Sequence, residues 1–202
     1  MALKFQYNKT FLNKLRKDLA MREKALPTLQ AKESALRLEV KKARAGYKDL
    51  LAAYEKMQKD LEPTYRLWDE FPKDLVKVDK IDIAGRVIAG VNIPSLKEIH
   101  FTLDEESLVS RPSWLPRGAE LYKGLIELSV RLEIAKHTTD ILEYARKKTT
   151  QKVNLYEKVQ IPGYKESILK IKRYMEDEEN LAKSSQKILK EKLAAEEQEE
   201  AL

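Results

Sequence analysis

The sequence contains no cysteine. That excludes a disulfide scaffold and thiolate chemistry, and it fits a reducing compartment. Glycine and proline are scarce, 6 and 7 in 202 residues, while charged residues make up 36%. This balance favours long, solvent-laced helices over a globular α/β enzyme. Long apolar runs are also missing. The longest uncharged stretch near the middle, Val87 to Leu96, is far too short to cross a bilayer. The opening residues, Met1-Ala-Leu-Lys-Phe-Gln-Tyr-Asn-Lys9, hold no apolar signal core. The expectation is no direct membrane insertion, with any membrane association made through a partner.

Chemistry-bearing patterns are equally sparse. Histidine occurs twice, at His100 and His137, and metal sites gather several ligands at close spacing. A metal site is therefore not expected. Gly85-Arg-Val-Ile-Ala-Gly90 has the glycine spacing of a phosphate-binding loop. Val91-Asn92 follow it, so the lysine and hydroxyl that such a loop needs are absent. The sequence has no G-x-S-x-G and no H-E-x-x-H, and Glu176 to Glu179 reads as a solvated run. No catalytic residue and no cofactor are expected, and the chain reads as non-enzymatic.

What is present is a seam. Leu12, Leu15, Leu19, Leu26, Leu29, Leu36, Val40, Ala43, Tyr47, Leu50, Tyr54, Met57 and Leu61 recur at three- and four-residue steps, broken only by Arg22 and Glu33. A heptad pattern held this long places one narrow apolar stripe along a helix of roughly 75 Å. Such regular spacing argues against disorder despite the charge. Asn8 or Thr10 supplies the N-cap. Pro27 should bend the helix without shifting its heptad phase, and Glu62-Pro63 ends it.

The next segment, to Pro116, collects most of the prolines and both tryptophans, Trp68 and Trp114. Apolar residues alternate at Val87, Ala89, Val91 and Ile93, and again at Ile99, Phe101 and Leu103. With Pro94-Ser95 between them, this reads as a short β-hairpin over about 81–103. Val76, Val78, Ile81 and Ile83 are candidates for a third strand, and Gly85 and Gly90 suit a turn and a bulge. An isolated hairpin is marginal in water, so it should lean on the helices or on a partner.

A second long helix begins near Arg117, with seam positions Leu121, Leu125, Leu128 and Leu132. The phase drifts after Ala145, and Pro162-Gly163 is the expected kink. The acidic tail from Glu196 should fray. The fold class is thus all-α dominated. It is a long antiparallel two-helix coiled coil with a small β-hairpin insertion, divided as 8–62, 63–116 and 117–198. The second helix should project past the first and leave Ile188, Leu189 and Leu193 in need of a partner.

The formal charge is +6, and its distribution is uneven. Met1–Glu62 holds 15 Lys and Arg against 8 Asp and Glu, whereas the remainder is nearly balanced. Two basic clusters stand out: Lys41, Lys42 and Arg44, and Arg146, Lys147, Lys148 and Lys152. They suit phosphate backbones, acidic loops of a partner protein, or simply solvent. A basic coiled-coil arm for nucleic acid and a passive tether are the alternatives that pattern alone leaves open.

Thr149-Thr-Gln-Lys-Val-Asn-Leu-Tyr-Glu-Lys-Val-Gln-Ile-Pro162 resembles the C-terminal signature of the D subunit of the V-type and archaeal-type rotary ATPases. Lys152, Val153, Asn154, Glu157, Ile161 and Pro162 match by position. Gln151 replaces the signature's first basic residue, and Leu155-Tyr156 its Ala-Leu. The hairpin segment with Val87, Gly90, Val91 and Pro94 is similar to that family's middle. Asn8 to Leu19 and Leu26 to Leu36 resemble its first helix.

The resemblance implies a central rotor shaft, present in one copy per complex. Its helical pair enters a hexamer of catalytic A and non-catalytic B subunits and binds the F subunit of the stalk. Its lower end docks on the subunit that caps the membrane ring. It implies a cytoplasmic, peripheral location, no direct nucleic-acid binding and no hydrolysis by the chain itself.

Overall fold

The computed structural model describes residues 6–72, 74–103 and 112–200, without the side chains of 194–200. The first helix, α1, runs over Lys9–Leu61 and continues through Pro27. Its N-cap is Asn8, whose Oδ1 accepts a 2.7 Å hydrogen bond from the Phe11 N–H. A 3-10 turn at Glu62–Thr64 leads into a four-residue helix α2, Tyr65–Trp68. Strands β1, Val76–Ile88, and β2, Val91–Leu103, form an antiparallel pair. Helix α3 spans Leu115–Asn154, a π-helical segment covers Leu155–Gln160, and α4 spans Ile161–Glu200. The described part is thus dominated by helix, with one two-stranded sheet between the long helical runs.

Two compact units divide the chain. One joins the residues up to Gln30 with those from Gln151 onward; the other is Ala31–Thr150.

In the first unit, the start of α1 packs against α4. Leu12, Leu15, Tyr164 and Ile171 are buried together, with Phe11, Leu19, Ile168 and Met175 around them. The pairing is antiparallel: Tyr7 meets Tyr174 at 4.6 Å between ring centroids, and Arg22 reaches Gln160. The irregularity expected at Pro162-Gly163 takes another form. The backbone stays helical through both residues, and the widened turn lies just before them. There the Ile161 N–H bonds to the Tyr156 carbonyl, five residues back. A proline ring crowds the carbonyl one α-turn earlier, and a wider turn makes room for it. The acidic tail, expected to fray, is helical in its backbone to Glu200; residues 201–202 lie outside the described residues.

In the second unit, α1 and α3 also run antiparallel, with Thr150 bonded to Glu33 and Arg44 paired with Glu143. The hairpin lies along them and is longer than its sequence pattern indicates, with 13 residues in each strand. Val76, Val78, Ile81 and Ile83 belong to β1 and make no third strand. The turn is Ala89-Gly90, at φ 49° and 71°. This is the mirror-image two-residue geometry that matches strand twist. Pro94-Ser95, expected to turn the chain, sits inside β2, where Pro94 faces Gly85. A two-stranded sheet has only edge strands, so a proline can point its missing N–H away from the ladder. Asp79 and Lys97 are skipped in the pairing, and these bulges add local twist.

Both ends of the hairpin are anchored. Near the turn, Ile93 is buried with Leu36, Val40 and Leu142, and Ile88, Ala89 and Val91 pack around them. At the open end, Val76 is buried with Leu75, Leu115 and Ala119, flanked by Phe101 and Leu103. Trp68, Phe71, Trp114 and Tyr122 stack beside that cluster at centroid distances of 5.1 to 6.3 Å.

Candidate functional site

Of the α1 seam positions, Leu12, Leu15, Leu36, Val40 and Leu61 are buried, and Leu19, Leu26, Leu29 and Leu50 are half-buried. The two polar interruptions are satisfied. Arg22 donates through Nε to Gln160 Oε1 at 2.8 Å and lies over the Tyr164 ring at 4.5 Å. Glu33 accepts from Arg37 at 2.9 Å and from the Thr150 hydroxyl at 3.1 Å. On α3 the stripe is looser. Leu125, Leu128 and Leu132 are half-buried, as is every residue over 122–130, and Leu121 is 38% exposed rather than part of a seam. Broad, shallow burial of that kind defines no single apolar edge.

The C-terminal signature straddles the end of α3 and the π-helical segment. Val153 is buried and Ile161 half-buried, whereas Lys152, Asn154, Glu157 and Pro162 are exposed. No hydrogen bond or ion pair occupies the side chains of Lys152, Asn154 or Glu157 among the described residues.

Hydrophobic groups remain uncovered in two places. On β1, Val78, Ile81, Ile83 and Val87 are 39–69% exposed. On α4, every residue over 176–193 is exposed, including Leu181, Ile188, Leu189 and Leu193. That bears on the expectation of an uncovered C-terminal end: the packed part of α4 stops at Met175. Of the hairpin positions, Val87 is exposed, Gly90 forms the turn beside Lys32, and Val91 and Pro94 are half-buried.

Ion pairs are spread over the surface. Arg44 hydrogen-bonds Glu143 and holds that carboxyl below the usual carboxylate range. Lys80 and then His100 do the same to Asp82. Gly85 and Gly90 lie in a strand and a turn and wrap no loop. Among the described residues no cluster of three or more His, Asp or Glu side chains could hold a metal ion, and no helix is long and apolar enough to cross a membrane.

Each basic cluster is divided between different settings. Lys42 pairs with Glu39 at 2.9 Å, and Lys148 lies over the Tyr144 ring at 5.4 Å. Lys41, Arg44 and Arg146 instead line one groove with Arg37 and Lys48, two residues that neither cluster included. The helical spacing of the α1 cations is present in the sequence, but their meeting with Arg146 depends on how α1 and α3 are aligned.

Residues 11–191 match the family described as the D subunit of ATP synthase. The chain belongs to that family. It is 33% identical over 192 residues to the V-type ATP synthase D subunit of Borreliella burgdorferi, covering 94% of this chain and 95% of that one. It is 29% identical over 182 residues to the protein of the same name from Chlamydia pneumoniae, covering 88% and 87%. The Chlamydia felis relative is 27% identical over 164 residues, with 79% of each chain covered. A D subunit of a V-type ATP synthase works within an assembly.

Proposed function

We propose that this D subunit is the central rotor stalk of a V/A-type rotary ATPase or ATP synthase. It carries torque between a nucleotide-hydrolysing hexamer and an ion-translocating membrane ring, and has no catalytic site of its own. The single observation that carries this reading is the family match over residues 11–191. The long α1 helix agrees with it, because a shaft needs torsional stiffness and a long helix with a sustained heptad stripe supplies it.

The helical segments 8–62 and 117–198 would form the shaft, and 63–116 an insertion at its side. The bare end of α4 would be covered by the A and B subunits of the hexamer. Other faces would meet the F subunit of the stalk and the subunit that caps the ring. The exposed Lys152, Asn154 and Glu157 are available for such contacts, while Val153 and Ile161 support the packing behind them. The complex would hold one copy, peripheral to the membrane on its cytoplasmic side.

The test is coupling in the purified complex. Leu36 is fully buried at the seam, so Leu36→Gly softens the shaft without touching its surface. ATP hydrolysis should continue while ATP-driven ion transport in reconstituted vesicles falls. Transport that stays coupled in the variant would instead mark the chain as a passive tether.

A further inference from the structure

We propose that the groove between α1 and α3 in the second unit receives an acidic amphipathic helix of a neighbouring subunit. This inference rests on the rotor reading only for the existence of neighbours.

The groove has a volume of about 800 Å³, with the apolar Val40, Tyr47 and Leu51 along one side and the exposed Ala45 on the other. Its rim carries Arg37, Lys41, Arg44 and Lys48 from α1 and Arg146 from α3. The four α1 cations follow steps of four, three and four residues, so they stand in one row along the helix. From Arg37 to Leu51 the groove extends roughly 21 Å, about four helical turns.

Internal partners neutralise part of this charge. Arg37 is paired with Glu33, and Arg44 with Glu143. The side chains of Lys41 and Lys48 have no hydrogen bond or ion pair among the described residues. The Nε of Arg146 is buried with no hydrogen-bond partner. A buried guanidinium nitrogen without an acceptor is costly, and Glu143, whose carboxyl Arg146 helps to hold low, offsets only part of that guanidinium's charge.

The apolar side decides the class of ligand. A phosphate backbone has no apolar face to lay on Val40 and Leu51, and the groove's one aromatic, Tyr47, is half-buried and offers no open ring face for a run of stacked bases. An amphipathic helix offers both surfaces. Its apolar stripe fits that side, and carboxylates at matching three- and four-residue steps meet the cationic row.

The experiment uses the purified ATPase complex containing this chain. The exposed groove residue Ala45 is replaced by the photo-crosslinker p-benzoyl-phenylalanine, and the adduct is mapped by mass spectrometry. The expected adduct lies in a helical segment of another subunit, with at least two carboxylates within one turn on either side. In a second complex, Lys41→Glu and Lys48→Glu together should lower the adduct yield about tenfold or more. Lys77→Glu, on the hairpin, should leave it unchanged.

No adduct, an adduct to RNA, to a second copy of this chain or to a segment without carboxylates, or a yield unaffected by the double variant, overturns the inference. Any of these in a complex that does contain the chain leaves the rotor reading standing. A chain absent from the ATPase complex removes both.

Discussion

Arg22 Nε donates to Gln160 Oε1 across 2.8 Å, and the same guanidinium lies 4.5 Å from the centre of the Tyr164 ring. Its Nη1 also bonds the Asp18 carbonyl at 2.9 Å. Arg22 is one of two breaks in the α1 seam, and it meets the π-helical segment at its last residue. A shift of either helix would leave a half-buried guanidinium and amide unsatisfied, so the pair fixes register where leucine alone would tolerate slippage.

Arg22→Ala removes the hydrogen bond and the ring contact together. The expected loss is about 1–3 kcal/mol, read from the midpoint of urea unfolding. Arg22→Leu combined with Gln160→Leu should recover much of it, since removing both polar partners avoids an orphaned group. A single variant as stable as the parent would show that the pair contributes nothing to the fold.

How far the sequence reveals this fold follows from the length of each pattern. A heptad sustained over about 50 residues leaves no alternative to a helix, and α1 ends at Leu61, directly before the predicted Glu62-Pro63 stop. The hairpin is legible as alternation, yet its turn is not. Proline is the louder turn signal, and Ala89 is an unusual residue at positive φ. Leu121 belongs to the right periodicity but is exposed at the edge of a stretch, 122–130, that is half-buried all round, so spacing cannot select a face there. The cationic groove needs the α1 and α3 alignment, which no local pattern encodes.

The Ala89-Gly90 turn yields a prediction in both directions. Gly90 has φ 71°, and a Cβ there would come within 3.3 Å of Lys32 Nζ. Gly90→Val should therefore destabilise by about 1–2 kcal/mol, mainly from the left-handed backbone. Ala89→Asn should stabilise by about 0.4–1 kcal/mol, because Asn tolerates φ near 49° better than Ala. Thermal unfolding of the two variants should move in opposite directions.

Asp82 carries a pH signature. Lys80 at 2.7 Å and His100 at 3.1 Å hold its carboxyl below the ordinary value. A depressed folded pKa gives stability that is fully present above the unfolded value, about 4, and is lost as pH falls through the folded one. Lys80 is shifted upward by the same contact, so its share is present below its unfolded value, about 10.4, and disappears as pH rises through the folded one. Comparing Asp82→Asn with the parent by melting temperature, the gap should be open at neutral pH and close at both extremes. A gap independent of pH would assign the effect to backbone geometry at the neighbouring bulge.

The last turns of α4 lack tertiary support in the isolated chain. Tyr164, Ser167 and Ile171 are buried, but nothing over 176–193 is. Helix without a packed face is only marginally stable in water, and the solvent-screened Lys183–Glu179 and Lys187–Glu191 pairs add little to it. Amide hydrogen exchange in the purified chain should therefore be fast over 181–193 and at least about a hundredfold slower over 164–171. In the assembled complex the difference should shrink, because Leu181, Ile188, Leu189 and Leu193 would then be covered. Exchange over 181–193 that stays fast in the complex would mean that this end of α4 meets no partner.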